Sequence, residues 1–129
     1  MAWHSAESLD TLIGQILVKG TYKVVPGYFN ATVEKEFKNR KIAMINCDVD
    51  LYSSTIDCLS PLFKMQSISE GCIILFDDWN NSAANPKIGQ RAAFSKICED
   101  FSIKYSDEGR YSYHGHAFII HEYLTTGQV

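Results

Sequence analysis

The stretch Cys72-Ile73-Ile74-Leu75-Phe76, entered from Gly71 and followed at once by Asp77-Asp78, decides how this chain is read. Five consecutive apolar residues bounded by a turn former and two acids mark a short buried strand, since an exposed strand would alternate with polar residues. A second apolar run, Ile42 to Ile45, behaves in the same way and delivers the chain to Asp48 and Asp50. Two such strands, each leaving acidic residues at its carboxyl end, set the frame for everything else.

Working outward, helical periodicities separate the strands. Leu9, Leu12, Ile13, Ile16 and Leu17 recur at the spacing of one helix face, with Ser5 or Ser8 as the cap and Gly20 as the stop. Tyr22 to Val25 reads as a short strand closed by Pro26-Gly27, and Thr32 to Lys38 as a surface helix. Ser54, with Asp57 three residues on, resembles a capping box opening another helix. Pro61 then either kinks that helix at Ser60 or opens a second helical piece. Phe94, Ile97, Cys98 and Phe101 mark a core-facing helix, and Ile103–Tyr105 and Ala117–His121 two final strands. The expected fold is α/β, a mostly parallel sheet with helices on both faces and an antiparallel strand pair at its C-terminal edge.

Composition narrows the classes. The chain has 129 residues, 46% apolar and 21% charged, with a net charge of −3, which suits one soluble domain over residues 1–129. No basic stripe announces nucleic acid, and neither a membrane-length apolar run nor a charged leader is present, so a cytoplasmic protein is expected. Cys47, Cys58, Cys72 and Cys98 form no Cys-x-x-Cys pair and read as buried free thiols, not as a zinc site.

In an open parallel sheet, ligands bind in the crevice outside the carboxyl ends of the strands. If the two strands are neighbours, Asp48, Asp50, Asp77 and Asp78 all face one crevice. Any one of these acids serves equally well as a helix cap or turn residue. Two pairs at matching strand ends point instead to a site, because carboxylates gathered together repel unless a proton or a hard divalent cation such as Mg²⁺ or Ca²⁺ intervenes. Of the remaining chemistry-bearing residues, His114 and His116 fall in the late connection and either approach a metal or, by alternation, lie on a solvated face, and His121 is structural. Trp79 either lines the crevice or packs.

The run Asp48-Val49-Asp50-Leu51-Tyr52-Ser53-Ser54-Thr55, followed by Gly71 to Trp79, resembles the macrocin O-methyltransferase family. Gly27-Tyr28-Phe29-Asn30-Ala31-Thr32 is similar to that family's G-[YF]-F-x-x-T segment, and Gly89-Gln90-Arg91-Ala92-Ala93 to its G-x-R-x-A segment. The resemblance runs from about Gly27 to Phe101 and covers the C-terminal part of a Rossmann-like methyltransferase fold. It implies an S-adenosylmethionine-dependent enzyme that methylates a sugar-type hydroxyl with the help of Mg²⁺ or a similar cation. Carried over by position, Asp48, Asp77 and Asp78 are the metal-binding acids, and Asp48 is the general base. Asp50 and Tyr52 are supporting or structural residues, and Arg91 either pairs with a carboxylate or lies at the surface.

One departure matters. The family's glycine-rich cofactor turn is absent, since no two of the eight glycines lie two positions apart. The cofactor-binding residues are therefore unknown. In the family's sheet another strand lies beside the one at 42–45, so here the strand at 22–25 is expected to move in, or a second copy of the chain to cover the edge. Two other functions remain open: a glycosyltransferase-like domain using Asp48-x-Asp50 with a metal and a nucleotide-sugar, and a non-catalytic domain that self-associates.

Overall fold

The computed structural model of the chain describes residues 5–125. Its elements run in the order α1 (Ala6–Gly14), α2 (Phe29–Phe37), β1 (Ile42–Cys47), α3 (Tyr52–Lys64), β2 (Ile68–Phe76), α4 (Asn81–Ala84), α5 (Gly89–Phe101), β3 (Lys104–Arg110) and β4 (His116–Glu122). The four strands form one sheet in the order β1-β2-β4-β3. β1 and β2 are parallel, whereas β2–β4 and β3–β4 are antiparallel.

The α/β class and the antiparallel C-terminal pair hold, but a mostly parallel sheet does not. β4 returns from β3 by a short connection and inserts between β3 and β2, so only the β1–β2 pair, joined through α3, is parallel. A short link can only reverse the chain, and parallel neighbours need a long crossover.

Burial follows one face of the sheet. Cys47, Ile74, Phe76, Phe118 and Ile120 point to that face and are buried. Over it lie Val33 of α2, Leu59, Leu62 and Phe63 of α3, and Phe94, Ile97 and Phe101 of α5, all in the same cluster. The opposite face carries Met44 and Ile73, 57% and 37% exposed. Helices on both faces are thus not seen among the described residues. α1 buries no residue, although Ser5 caps it as anticipated, accepting from the Ser8 amide at 3.1 Å.

Several local expectations change. Residues 22–25 form no strand, so nothing in the described chain pairs with the outer edge of β1. α3 begins at Tyr52 with Leu51 at its cap and no side-chain cap bond, so Ser54 lies inside the first turn. Pro61 sits within this one continuous helix and simply withholds an N–H from the Asp57 carbonyl. β2 starts at Ile68, four residues before the apolar run, and Gly71, at φ +82, lies inside the strand where the β1–β2 register slips. That positive φ suits a glycine in a bulge. Among the described residues, no helix is long and apolar enough to cross a membrane.

Candidate functional site

The site grows from the register of the parallel pair. Cys47 lies opposite Phe76, and the Asp77 amide donates to the Cys47 carbonyl at 3.2 Å, so the ladder ends there and both chains turn away together. Asp48 and the Asp77-Asp78 pair therefore emerge side by side, as the strand-end argument anticipated.

Beyond Cys47 the chain makes a tight reversal. The Leu51 amide donates to the Val49 carbonyl at 2.6 Å around Asp50, whose φ is +57. Asp and Asn tolerate this left-handed backbone better than other side-chain-bearing residues do. The reversal aims the Asp50 amide at Asp78, whose Oδ2 accepts it at 3.2 Å. Asp78 Oδ1 accepts from Asn81 Nδ2 at 2.9 Å.

As a result Asp48, Asp50 and Asp78 each present a carboxylate oxygen within 4.8 Å of the others. Partial burial, with the Asp50 carboxyl alongside, pushes the Asp78 pKa up to about 6. Burial disfavours the charged form, and the like charges of Asp50 and Asp48 add to that, against the Asp50 amide that stabilises it. The donor set, three carboxylates and no sulfur or nitrogen, fits a hard divalent cation such as Mg²⁺ or Ca²⁺.

Asp77 leaves in another direction, and its Oδ1 accepts from the Tyr111 hydroxyl at 3.2 Å. Burial and the Asp77 carboxylate hold the Tyr111 phenol up at about 12, so it remains a donor at neutral pH. Tyr111 belongs to the β3–β4 connection, which also reaches this end of the sheet through the His114 carbonyl, accepting from the Asn80 amide at 3.0 Å. No spacing in the sequence ties residue 111 to residue 77; only the hairpin does.

The other candidates separate cleanly. Among the described residues Arg91 pairs with no carboxylate: its Nε donates to the Trp79 carbonyl at 3.1 Å, its Nη2 to Asn80 Oδ1 at 2.7 Å, and its guanidinium lies over the Trp79 ring. Trp79 packs with Phe76 and Phe118 at ring separations of 5.1 and 4.8 Å. His116 bonds Asp107 at 2.5 Å and His121 bonds Ser106, so both serve the β3–β4 ladder. Gln90, unnoticed in the sequence, is 1% exposed and joins the two strand ends, accepting from the Asp78 amide and donating to the Cys47 carbonyl.

A model of the family described as Macrocin-O-methyltransferase (TylF) matches residues 15–100, most of the chain and the whole acidic site. The chain belongs to the macrocin O-methyltransferase family. No curated protein matches it. Family membership brings S-adenosylmethionine as methyl donor, yet among the described residues no strand runs into a glycine-rich turn. The acids present fit a cation, and donor binding is assigned to none of the described residues.

Proposed function

We propose that this chain serves the family's O-methyl transfer with a sugar-type hydroxyl as acceptor, and that its acids hold a divalent cation, Mg²⁺ or a similar ion, beside that hydroxyl. The observation that carries the reading is the convergence of Asp48, Asp50 and Asp78 within 4.8 Å at the end of the parallel pair, in a chain of this family. In this reading Asp48, Asp50 and Asp78 hold the cation, Asp77 supports them from its bond to Tyr111, and Asp48 takes the acceptor proton. When bound, a divalent cation lowers the pKa of a neighbouring hydroxyl and so raises its reactivity at neutral pH.

The chain's own residues do the rest. Asp48 stands at the exposed end of β1, where an acceptor can reach it, and accepts the hydroxyl proton as the oxygen becomes methylated. Tyr111 orients Asp77 through its hydrogen bond. Four free thiols suit a reducing, cytoplasmic setting.

Calorimetry tests this directly. Mg²⁺ or Mn²⁺ should bind the chain and should be lost in Asp48→Asn and Asp78→Asn, and S-adenosylmethionine with an acceptor sugar should give a methylated product. Absence of cation binding in the unaltered chain overturns the reading. A second reading draws on the same geometry, because Asp48 and Asp50 of the Asp-x-Asp run converge as a nucleotide-sugar site requires. Thermal stabilisation by a nucleotide-diphosphate sugar with Mn²⁺, and none by S-adenosylmethionine, would favour it.

A further inference from the structure

We propose that Gln90 is a positioning residue: its side-chain amide ties the end of β1 to the turn after β2, and so holds Asp48 and Asp78 together. The inference rests on the cation reading above only for its second measurement.

Gln90 lies in the second position of α5, one of the free positions in the G-x-R-x-A segment, so the resemblance assigns it nothing. It is nevertheless one of the few polar side chains in the interior, at 1% exposure. Burying an amide is costly unless both of its ends are bonded. Both are. Oε1 accepts from the Asp78 amide at 2.9 Å, and Nε2 donates to the Cys47 carbonyl at 2.8 Å and lies 3.8 Å from the Cys47 sulfur. A backbone N–H can only donate and a carbonyl only accept, so the two partners fix which end of the amide is which.

The two backbone groups that Gln90 joins stand directly before the side chains of Asp48 and Asp78. The Cys47 carbonyl belongs to the peptide that leads into Asp48, and the Asp78 amide to Asp78 itself. The sheet ladder has already ended at the Asp77 amide. Gln90 adds one further rung from a side chain, at the place where backbone pairing stops and the carboxylates begin to repel. Arg91 anchors the following residues, Trp79 and Asn80, so the first turn of α5 grips the whole segment after β2.

The test compares Gln90→Met, which keeps the length and loses both bonds, with Leu62→Ala, a core change remote from the acids. Two measurements are made on the full chain: residue-resolved amide exchange without metal, and titration with Mn²⁺. In Gln90→Met the Asp78 amide should exchange at least about tenfold faster than in Leu62→Ala, and Mn²⁺ affinity should fall about tenfold or more. Leu62→Ala should bind Mn²⁺ as the unaltered chain does.

Equal exchange at Asp78 in the two variants overturns the proposal. So does faster exchange with unchanged Mn²⁺ affinity, which would make Gln90 a structural bond alone. If the unaltered chain takes up no Mn²⁺, the cation reading fails by itself, and the exchange of the Asp78 amide decides the tie. Should Gln90→Met not fold, Gln90→Asn, one methylene too short to span both partners, replaces it with the same expected losses.

Discussion

The backbone amide of Asp50 donates to the carboxylate of Asp78 at 3.2 Å, across an interval of 28 residues. The same turn that aims this amide also brings the Asp50 carboxyl against Asp78. One contact therefore stabilises the Asp78 charge while its neighbour opposes it, and burial adds to the opposition. The balance leaves Asp78 readier to take a proton than an ordinary aspartate, and several consequences are measurable.

The first is a pH dependence. Asp78 has its pKa raised from 3.8 to about 6 in the folded chain. Between about pH 4 and 6 the folded state binds more protons than the unfolded one, so this group's contribution to stability falls as pH rises through that window. Glu36, Asp107 and Glu122 are held below the usual carboxylate range by hydrogen bonds to Lys23, His116 and Lys104, and act in the opposite sense. The readout is thus a difference. Urea midpoints of the metal-free chain, minus those of Asp78→Asn, should decline from pH 4 to 6 and then level off. Parallel profiles would refute the assignment.

Asp50 offers a second test through its backbone. Asparagine keeps the tolerance for a φ of +57 while removing the charge. Asp50→Asn should therefore stabilise the metal-free chain by roughly 0.5 kcal/mol, the scale of an exposed like-charge contact. Asp50→Ala, which lacks that tolerance, should destabilise it by about 1 kcal/mol. Both should weaken Mn²⁺ binding. Equal stabilities of the two variants would remove the conformational argument.

Thiol chemistry gives a third. Burial pushes Cys72 up to about 11 and Cys98 up to about 12, and the neighbouring Cys58 thiol together with burial raises Cys47. Cys58 moves the other way, lowered by its contact with Cys47. Thiolate is the reacting form. Iodoacetamide at pH 8 should accordingly label Cys58 first in the native chain, with all four reacting alike in urea. Mass spectrometry showing Cys72 or Cys98 labelled ahead of Cys58 would contradict this order.

The fourth concerns the open side of β1. Met44 and Ile73 stand next to each other on the bare sheet face, and no described strand pairs with the outer edge of β1. Such an edge is a template for pairing with another chain. Light scattering should find a concentration-dependent dimer or larger species, and Met44→Lys should shift it toward monomer at little cost in stability. A strict monomer at high concentration would count against self-association.

Much of this was legible in the residues themselves. The run at 72–76 and the run at 42–45 both proved to be strands, they proved to be parallel neighbours, and their acids emerged at one end. Apolar strands and helical periodicities report burial locally, which is why they can be read without a fold. The strand expected at 22–25 failed because a short run with no partner gains nothing from being extended. The lengthening of β2 back to Ile68 escaped notice because Ser69, Glu70 and Gly71 carry no apolar signal.

What the sequence determined by itself was therefore most of the elements, the family and the set of acids from which a site must be drawn. Which acids meet was decided by tertiary structure alone. The reversal at Asp50 turns its carboxylate toward Asp78, while the β3–β4 hairpin carries Tyr111 to Asp77. The mixed sheet arose in the same way, from β4 taking the place beside β2. Local patterns record how each segment shields its own apolar side chains. They do not record the partners a turn or a returning strand finds once the chain has closed on itself.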